Sequence, residues 1–493
     1  MSAMTTPSEV PTRLQTCLHF IGGEYVASAS GETFANLNPA TGKVLGQIAK
    51  GDAVDVDRAV QAARQAFESG PWARMTVRER CRILQKVGDL ILDRQEELAR
   101  LESLDAGKPI SESLTGDIPR SAWNFQFFAE YAPAQAEDCF SVDAQERHFV
   151  VREPLGVAAL ITPWNLPLYL ATWKIAPCLA MGNSCVLKPA EWTPMTATVL
   201  GEIMNEAGVP PGVFNVVHGF GAGGAGEALT THPAVSAISF TGETSTGKAI
   251  MRNAADGLKK VSFELGGKGA NILFADADLD TAIETSVRAA YRNQGEICLA
   301  GSRLLVQDTI YDEVIERLKA RIATIRVGDP LNPQTSMGAI ISREQMEKVL
   351  QYIEIGKSEA KLVMGGERLD GPGNFITPAL FRDVAADARI AQDEIFGPVL
   401  PVIRFRDEAE AIAIANSTRY GLSASIWSRD VHRCHRMAAA IRTGLVWVNC
   451  WFARDLRTPF GGMKASGLGR EGGRYSLEYF SEAKTIAYRY QPE

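Results

Sequence analysis

The chain has 493 residues, 46% of them hydrophobic, enough for more than one core; at about 100–200 residues per domain, two or three domains are expected. Its 51 basic and 58 acidic residues leave a formal net charge of −7, and the basic ones stand singly or in pairs, so no nucleic-acid partner is expected. No apolar run approaches the ~20 residues of a membrane span, and residues 1–9 show no basic stretch followed by an apolar one, so a cytoplasmic protein without a membrane partner is expected.

Residues 20–48 read as short strands and turns, with Gly22-Gly23 and Asn38-Pro39-Ala40-Thr41-Gly42 as turn signals. A helix is predicted from Asp52, because Val56, Val60, Ala63 and Phe67 recur at helical spacing. A longer helix is predicted over 77–104, with Ile83, Leu84, Val87, Leu90 and Ile91 on one face. Residues 134–154 look strand-like but belong to no alternating region. From 155 to 256, β-type runs at 157–162, 184–188, 213–217 and 237–241 alternate with helical segments near 167–181, 194–207, 224–231 and 246–256. That alternation implies a parallel sheet with right-handed crossovers. A second alternating region starts at 271–274 and runs to about 445. The boundary between the two falls near 259–262, where a cleft is expected. The strand-like segment 484–490 again stands apart, and isolated strands need partners.

Several residues carry chemistry. The eight cysteines, at 17, 81, 139, 178, 185, 298, 434 and 450, show no C-x-x-C spacing and read as reduced thiols; the six histidines show no H-x-x-x-H, so no metal site is expected. Most of these cysteines read as small buried hydrophobes. Cys298 differs, standing among Gly295, Glu296, Ala300 and Gly301, small or polar neighbours that suit close approach of a ligand. Glu264 precedes Gly266 and Gly267, which let backbone come near a bound group. Asn165 follows Pro163-Trp164 at a strand end. A thiol, a carboxylate and an amide are the nucleophile, base and oxyanion donor of covalent catalysis on a carbonyl. There is no G-x-G-x-x-G; the glycine-rich segment 219–226 lies between a strand and a helix, a place consistent with a dinucleotide contact.

Phe263-Glu264-Leu265-Gly266-Gly267-Lys268, Pro163-Trp164-Asn165 and Gln294-Gly295-Glu296-Ile297-Cys298, with Glu394-Ile395-Phe396-Gly397-Pro398, resemble the aldehyde dehydrogenase superfamily over nearly the whole chain. The resemblance implies an α/β fold with a Rossmann-like NAD-binding domain over 1–133 and 155–260 and an α/β catalytic domain over 261–445. A small β oligomerisation arm would comprise 134–154 and 480–493, and 446–479 would form a substrate-tunnel and interdomain segment. NAD is the implied cofactor, a small-molecule aldehyde the implied substrate, and a homodimer or homotetramer the implied assembly. Cys298 would be the nucleophile, Glu264 the general base, and Asn165 with the Cys298 backbone N–H the oxyanion hole. Ile161, Thr162, Pro163, Trp164, Leu265 and Gly266 would line the cofactor. Lys188 and Glu191 would hold the adenosine ribose, and a carboxylate there repels a 2′-phosphate, which favours NAD over NADP. Gly221 and Gly226 would sit at the glycine loop, although this loop carries one extra small residue. Phe240, Thr241 and Gly242 would meet the pyrophosphate, Glu394 the nicotinamide ribose and Phe396 the ring. Glu243 stands where many members have Ser, and Glu471 reads equally as a second acid in the site or a solvated loop residue.

Two further segments, Asp117-Ile118-Pro119-Arg120 with Asn124-Phe125, and Arg454-Asp455-Leu456-Arg457-Thr458-Pro459-Phe460, look like the dehydrogenases of 2-hydroxymuconate semialdehyde, its 5-carboxymethyl relative and 2-aminomuconate semialdehyde. Carboxylate-bearing substrates need fixed cations. Arg120 and Arg457 would therefore bind the substrate, with Arg454 in reserve for the second place. Tyr169 and Trp173 would line the tunnel, with Trp451 and Phe452 on its far side. The alternatives are an aromatic or aliphatic aldehyde without a carboxylate, an acyl transfer to coenzyme A, and an inactive binding scaffold.

Overall fold

The structure, a computed structural model, describes residues 10–490; the reading of residues 1–9 and the outermost ends assigned to the cofactor domain and the arm, 1–9 and 491–493, lie outside them. The predicted first helix is Ala53–Glu68. Asp52 starts it by accepting from Val54 N and Asp55 N, while Asp55 reaches back to the Asp52 backbone, a reciprocal cap. The helix predicted over 77–104 is two helices, Val77–Asp93 and Gln95–Ala106, broken at Arg94 (φ −104°, ψ 20°). The first buries one stripe, including Leu84, Val87 and Ile91. The second buries Leu98 and everything from Leu101 to Ala106. One straight rod cannot satisfy both burial patterns, and Arg94 fixes the corner through Glu202 (2.9 Å) and Glu206.

The first large sheet has eight strands. Five parallel ones run in the spatial order Phe214–Val216, Ser184–Lys188, Val157–Ile161, Val235–Thr241, Lys260–Glu264. His19–Ile21 and Glu24–Val26 extend one edge antiparallel, and Gly467–Leu468 covers the other. The remaining N-terminal strands, Thr16–Cys17, Thr33–Leu37 and Val44–Ala49, form a separate three-stranded sheet. Both faces of the large sheet are covered: Ala158, Leu160 and Leu187 point into one apolar cluster, Val157, Ala159 and Val186 into another. Chain order reverses between Val157–Ile161 and Val235–Thr241. In such sheets the crevice beyond the carboxyl ends at that point is where ligands bind.

The second large sheet has seven strands in the order Lys361–Met364, Ala379–Arg382, Val399–Phe405, Arg303–Gln307, Ala270–Leu273, Ser423–Trp427, Leu445–Val448. All are parallel except the first. Segments 134–154 and 484–490 find each other: Glu146–Pro154 pairs antiparallel with Ser481–Arg489 over nine residue pairs, and Cys139–Ser141 adds a third strand. Among the described residues no helix is long and apolar enough to cross a membrane.

Candidate active site

Cys298 lies between the helix Leu279–Tyr291 and the strand Arg303–Gln307. Its approach is unusual: Asn293, Gln294 and Gly295 are all left-handed, with φ of 50°, 57° and 74°. Such conformations cost on the order of 1 kcal/mol or more each away from glycine, so surrounding bonds must hold them. They do. Asn293 Nδ2 donates to the carbonyls of Asn165 (3.1 Å) and Glu296 (3.2 Å), and Gln294 Oε1 accepts from Gly338 N (3.1 Å). Asn165 Nδ2 in turn donates to Glu296 O at 2.7 Å. The amide and the thiol are thereby held in one turn, and Asn165 keeps a second N–H for the cavity it lines with Cys298. Lys108 Nζ, buried and paired with Asp117, also reaches the Asn165 carbonyl at 3.4 Å. Gly267 packs its bare Cα on the Cys298 carbonyl, where a side chain would collide.

Glu264 ends the strand Lys260–Glu264, its backbone opposite Gly467. Both carboxyl oxygens are buried without a hydrogen-bond partner. Burial, reinforced by the charge of Glu471, holds this carboxyl well above the ordinary range. Glu471 is itself well placed, accepting from Trp173 Nε1 (2.6 Å), Lys174 Nζ (2.8 Å) and Ser239 Oγ (3.2 Å). It is buried and not a solvated loop residue. Burial, with Glu394 and Glu264 nearby, pushes the half-buried Cys298 thiol up to about 12. Burial thus favours the uncharged form of both the thiol and the acid.

A cavity of about 450 Å³ opens from Cys298 along the carboxyl ends of the first sheet. Pro163, Trp164 and Asn165 line it after one strand, Thr241 and Gly242 after another, with Leu265, Gly266, Glu394 and Phe396 opposite. Thr241 Oγ1 is buried and unpartnered. Glu394 Oε1 accepts from Gly267 N at 2.8 Å, and a side chain at Gly266 would strike the same carboxylate. Burial raises Glu394 to about 7. Trp164 meets Phe396 edge-on at 5.3 Å, and Gln345 fixes the left-handed Phe396 (φ 57°) by donating to its carbonyl at 2.7 Å. Ile161 and Phe240 are core beneath this wall, and Thr162 is buried behind it, donating its N–H to Lys188 O. Lys188 and Glu191 pair at 3.2 Å beside the lining residue Trp192. Glu243 lines the cavity, and its side chain does not cap the helix it precedes. Gly221 and Gly226 are not brought to this cavity. Their loop turns outward, Gly226 packing on Gly221 and Phe220 docking on Phe34 at 4.6 Å.

A second cavity, also about 450 Å³, shares the helix Pro167–Ala180 with the first, which Leu170 lines while Tyr169 lines the second. Arg120, Arg292 and Arg454 line it together with Trp123 and Phe452. The Arg120 guanidinium lies over Trp123 and Tyr169, 5.0 Å from each centroid, and its Nε donates to Asn124. Arg454 sits over Trp173 (4.8 Å) and Phe460 (3.9 Å). Arg120 Nη2 and Arg454 Nη2 are both buried and unpartnered. Arg457 departs from its expected place: it is at the surface, bound to Asp455 by contacts of 2.5–3.1 Å. The turn Asp455–Thr458 closes on the Asp455 carboxylate and so aims Arg457 outward, leaving Arg454 inside. Trp451 and Phe452 lie 4.9 Å apart with their rings tilted and pack with Cys298 in one apolar cluster, which links this cavity to the thiol. Asn293, Glu296, Lys108 and Arg292 were not legible from sequence; each acts through a fold-level neighbour that no local motif announces.

Comparison with known proteins agrees across the chain. The family model described as "Aldehyde dehydrogenase family" matches residues 25–486. A 2-hydroxymuconic semialdehyde dehydrogenase of Pseudomonas sp. (strain CF600) is 48% identical over 481 residues, 96% of this chain and 99% of the relative. A 2-aminomuconic 6-semialdehyde dehydrogenase of Pseudomonas sp. is 43% identical, with 96% and 98% covered. The crystal structure of an indole-3-acetaldehyde dehydrogenase complexed with NAD+ superposes with a TM-score of 0.94 at 42% identity, covering 96% of each chain.

Proposed function

This chain belongs to the aldehyde dehydrogenase family, and from that premise we propose that it oxidises a muconic-type semialdehyde, an open-chain aldehyde that also carries a carboxylate. It is an NAD-dependent aldehyde dehydrogenase. The substrate reading rests on one observation: Arg120 Nη2 and Arg454 Nη2 are buried, unpartnered and line one cavity. An unfilled buried donor costs about 1–3 kcal/mol, more when charged. Two such donors against aromatic walls fit the two oxygens of a carboxylate on a flat conjugated chain. Two kinds of relative act on muconic semialdehydes by name, which agrees.

The residues present fit NAD. Glu191 and Glu394 offer carboxylates to ribose hydroxyls, Thr241 Oγ1 is free to donate to phosphate, and Gly266 leaves room that a side chain would fill. Lys188, Pro163, Trp164, Leu265, Gly242 and Phe396 complete the contacts we assign. When bound, NAD takes up the hydrogen and two electrons that leave the substrate carbon.

The steps assigned to the chain are these. Cys298 Sγ attacks the aldehyde carbon, its proton passing to ionised Glu264. Asn165 Nδ2 and the Cys298 N–H hold the oxyanion. Oxidation leaves a thioester on Cys298. Glu264 gives up that proton to solvent and then takes one from water, whose oxygen adds to the thioester carbon; the carbon–sulfur bond breaks, Cys298 leaves as a thiolate that recovers a proton from Glu264, and the acid departs as its carboxylate. A placed Glu264 favours hydrolysis over transfer to coenzyme A. The cytoplasm as location and a homodimer or homotetramer built through the arm complete the reading.

NADH formation by absorbance tests it, with 2-hydroxymuconic semialdehyde beside benzaldehyde and a neutral aliphatic aldehyde. The semialdehyde should have the highest kcat/KM. Arg454→Ala should lower that value roughly 10- to 100-fold, the worth of a charged hydrogen bond, while Arg457→Ala should change it little. Better turnover of the uncharged aldehydes would discard the carboxylate reading and keep the chemistry.

A further inference from the structure

The second cavity holds more positive charge than one carboxylate can answer. Three arginines line it, and Asp117, its one acidic lining residue, is taken by buried Lys108. Arg292 has Glu112 as an ion-pair partner, but at 3.5 Å from Nε, longer than a normal hydrogen bond. With Glu112 counted, two positive charges remain. A monocarboxylate neutralises one of them and a dicarboxylate both.

The third guanidinium is also positioned to act. It lies over Phe452 at 5.4 Å, and among the described residues its two Nη groups have no hydrogen-bond acceptor. Gly116 makes room for it: a side chain there would begin 3.1 Å from Arg292 Nη2. Its backbone precedes Asn293, whose amide holds the Asn165 carbonyl, so the group is fixed to the turn that carries Cys298. Arg120, lowered to about 10 by burial and then by the charge of Arg454, stays a cation at neutral pH, so the three charges coexist.

We propose that Arg292 is a further specificity-determining residue, which anchors a second carboxylate and lets the enzyme accept semialdehydes with two acid groups. The inference rests on the reading that Arg120 and Arg454 hold the first carboxylate. The test is the ratio of kcat/KM for 5-carboxymethyl-2-hydroxymuconic semialdehyde, with two carboxylates, to that for 2-hydroxymuconic semialdehyde, with one. Both are measured on one preparation, so partial loss of folded protein cancels. Arg292→Gln should lower the ratio about tenfold, and Arg292→Lys should lower it less. Gly116→Ala, which crowds the guanidinium and leaves its charge, should lower it too. A ratio unchanged in Arg292→Gln and Gly116→Ala overturns the inference while the first-carboxylate reading stands. If benzaldehyde outruns both semialdehydes in the unaltered enzyme, both readings fall.

Discussion

In the proposed cycle Glu264 must lose a proton before it can serve as a base. Burial and the Glu471 charge hold that proton well above the ordinary carboxylate range. The ionised form is the active one, so turnover should rise with pH across that raised range. In Glu264→Gln the rising limb should disappear and kcat should fall about 10²–10⁴-fold. An initial burst of NADH equal to the enzyme present should remain but form more slowly, because Glu264 serves the attack of Cys298 as well as the hydrolysis of the thioester. A variant that keeps the pH limb at full rate would remove Glu264 from the role. The proposed triad of Cys298, Glu264 and Asn165 could be picked out in sequence because each sits in a motif of fixed local order. Arg454 and Arg457 were not separable, since both stand in one short run and only the turn closed by Asp455 decides which points inward. Glu471 was ambiguous for a related reason: its partners Trp173, Lys174 and Ser239 lie more than 200 residues away in sequence.

At the scale of elements, the alternation of strand and helix gave the two sheets closely, because parallel strands buried on both faces read as apolar runs. The helix break at Arg94 escaped, since helical periodicity continues through it and only tertiary burial changes. The glycine loop at 219–226, expected at the dinucleotide, docks Phe220 on Phe34, a long-range contact that composition does not carry. The segment Leu265-Gly266-Gly267 shows the opposite case, in which a short motif has a full physical reason. Gly266 faces Glu394 and Gly267 faces the Cys298 carbonyl, each too close for a side chain. Gly266→Ala should displace Glu394 and break its 2.8 Å bond from Gly267 N. A loss of about tenfold in NAD affinity is expected, near the worth of one charged hydrogen bond, measured by quenching of tryptophan fluorescence. Unchanged affinity would show that Glu394 does not hold the cofactor.

At the scale of the whole molecule, the three-stranded sheet of Cys139–Ser141, Glu146–Pro154 and Ser481–Arg489 is thin and has two unpaired edges. Phe140 and Tyr488 are 58% and 51% exposed on it. Open edges and exposed apolar side chains of this kind suit pairing with another chain. Light scattering should find two or four times the chain mass, and Phe140→Asp with Tyr488→Asp should shift the population toward monomer. A native monomer would dismiss the arm as an assembly element.

The edge strand Gly467–Leu468 and the acid Glu471 bear on when, as well as where, this enzyme works. Both lie more than 200 residues after Glu264 in sequence, yet one flanks it and the other, after burial, raises its proton affinity. A nascent chain can therefore fold its earlier strands while its base still lacks these neighbours. The base reaches its working surroundings only after residues 467–471 have been made and packed against the sheet edge.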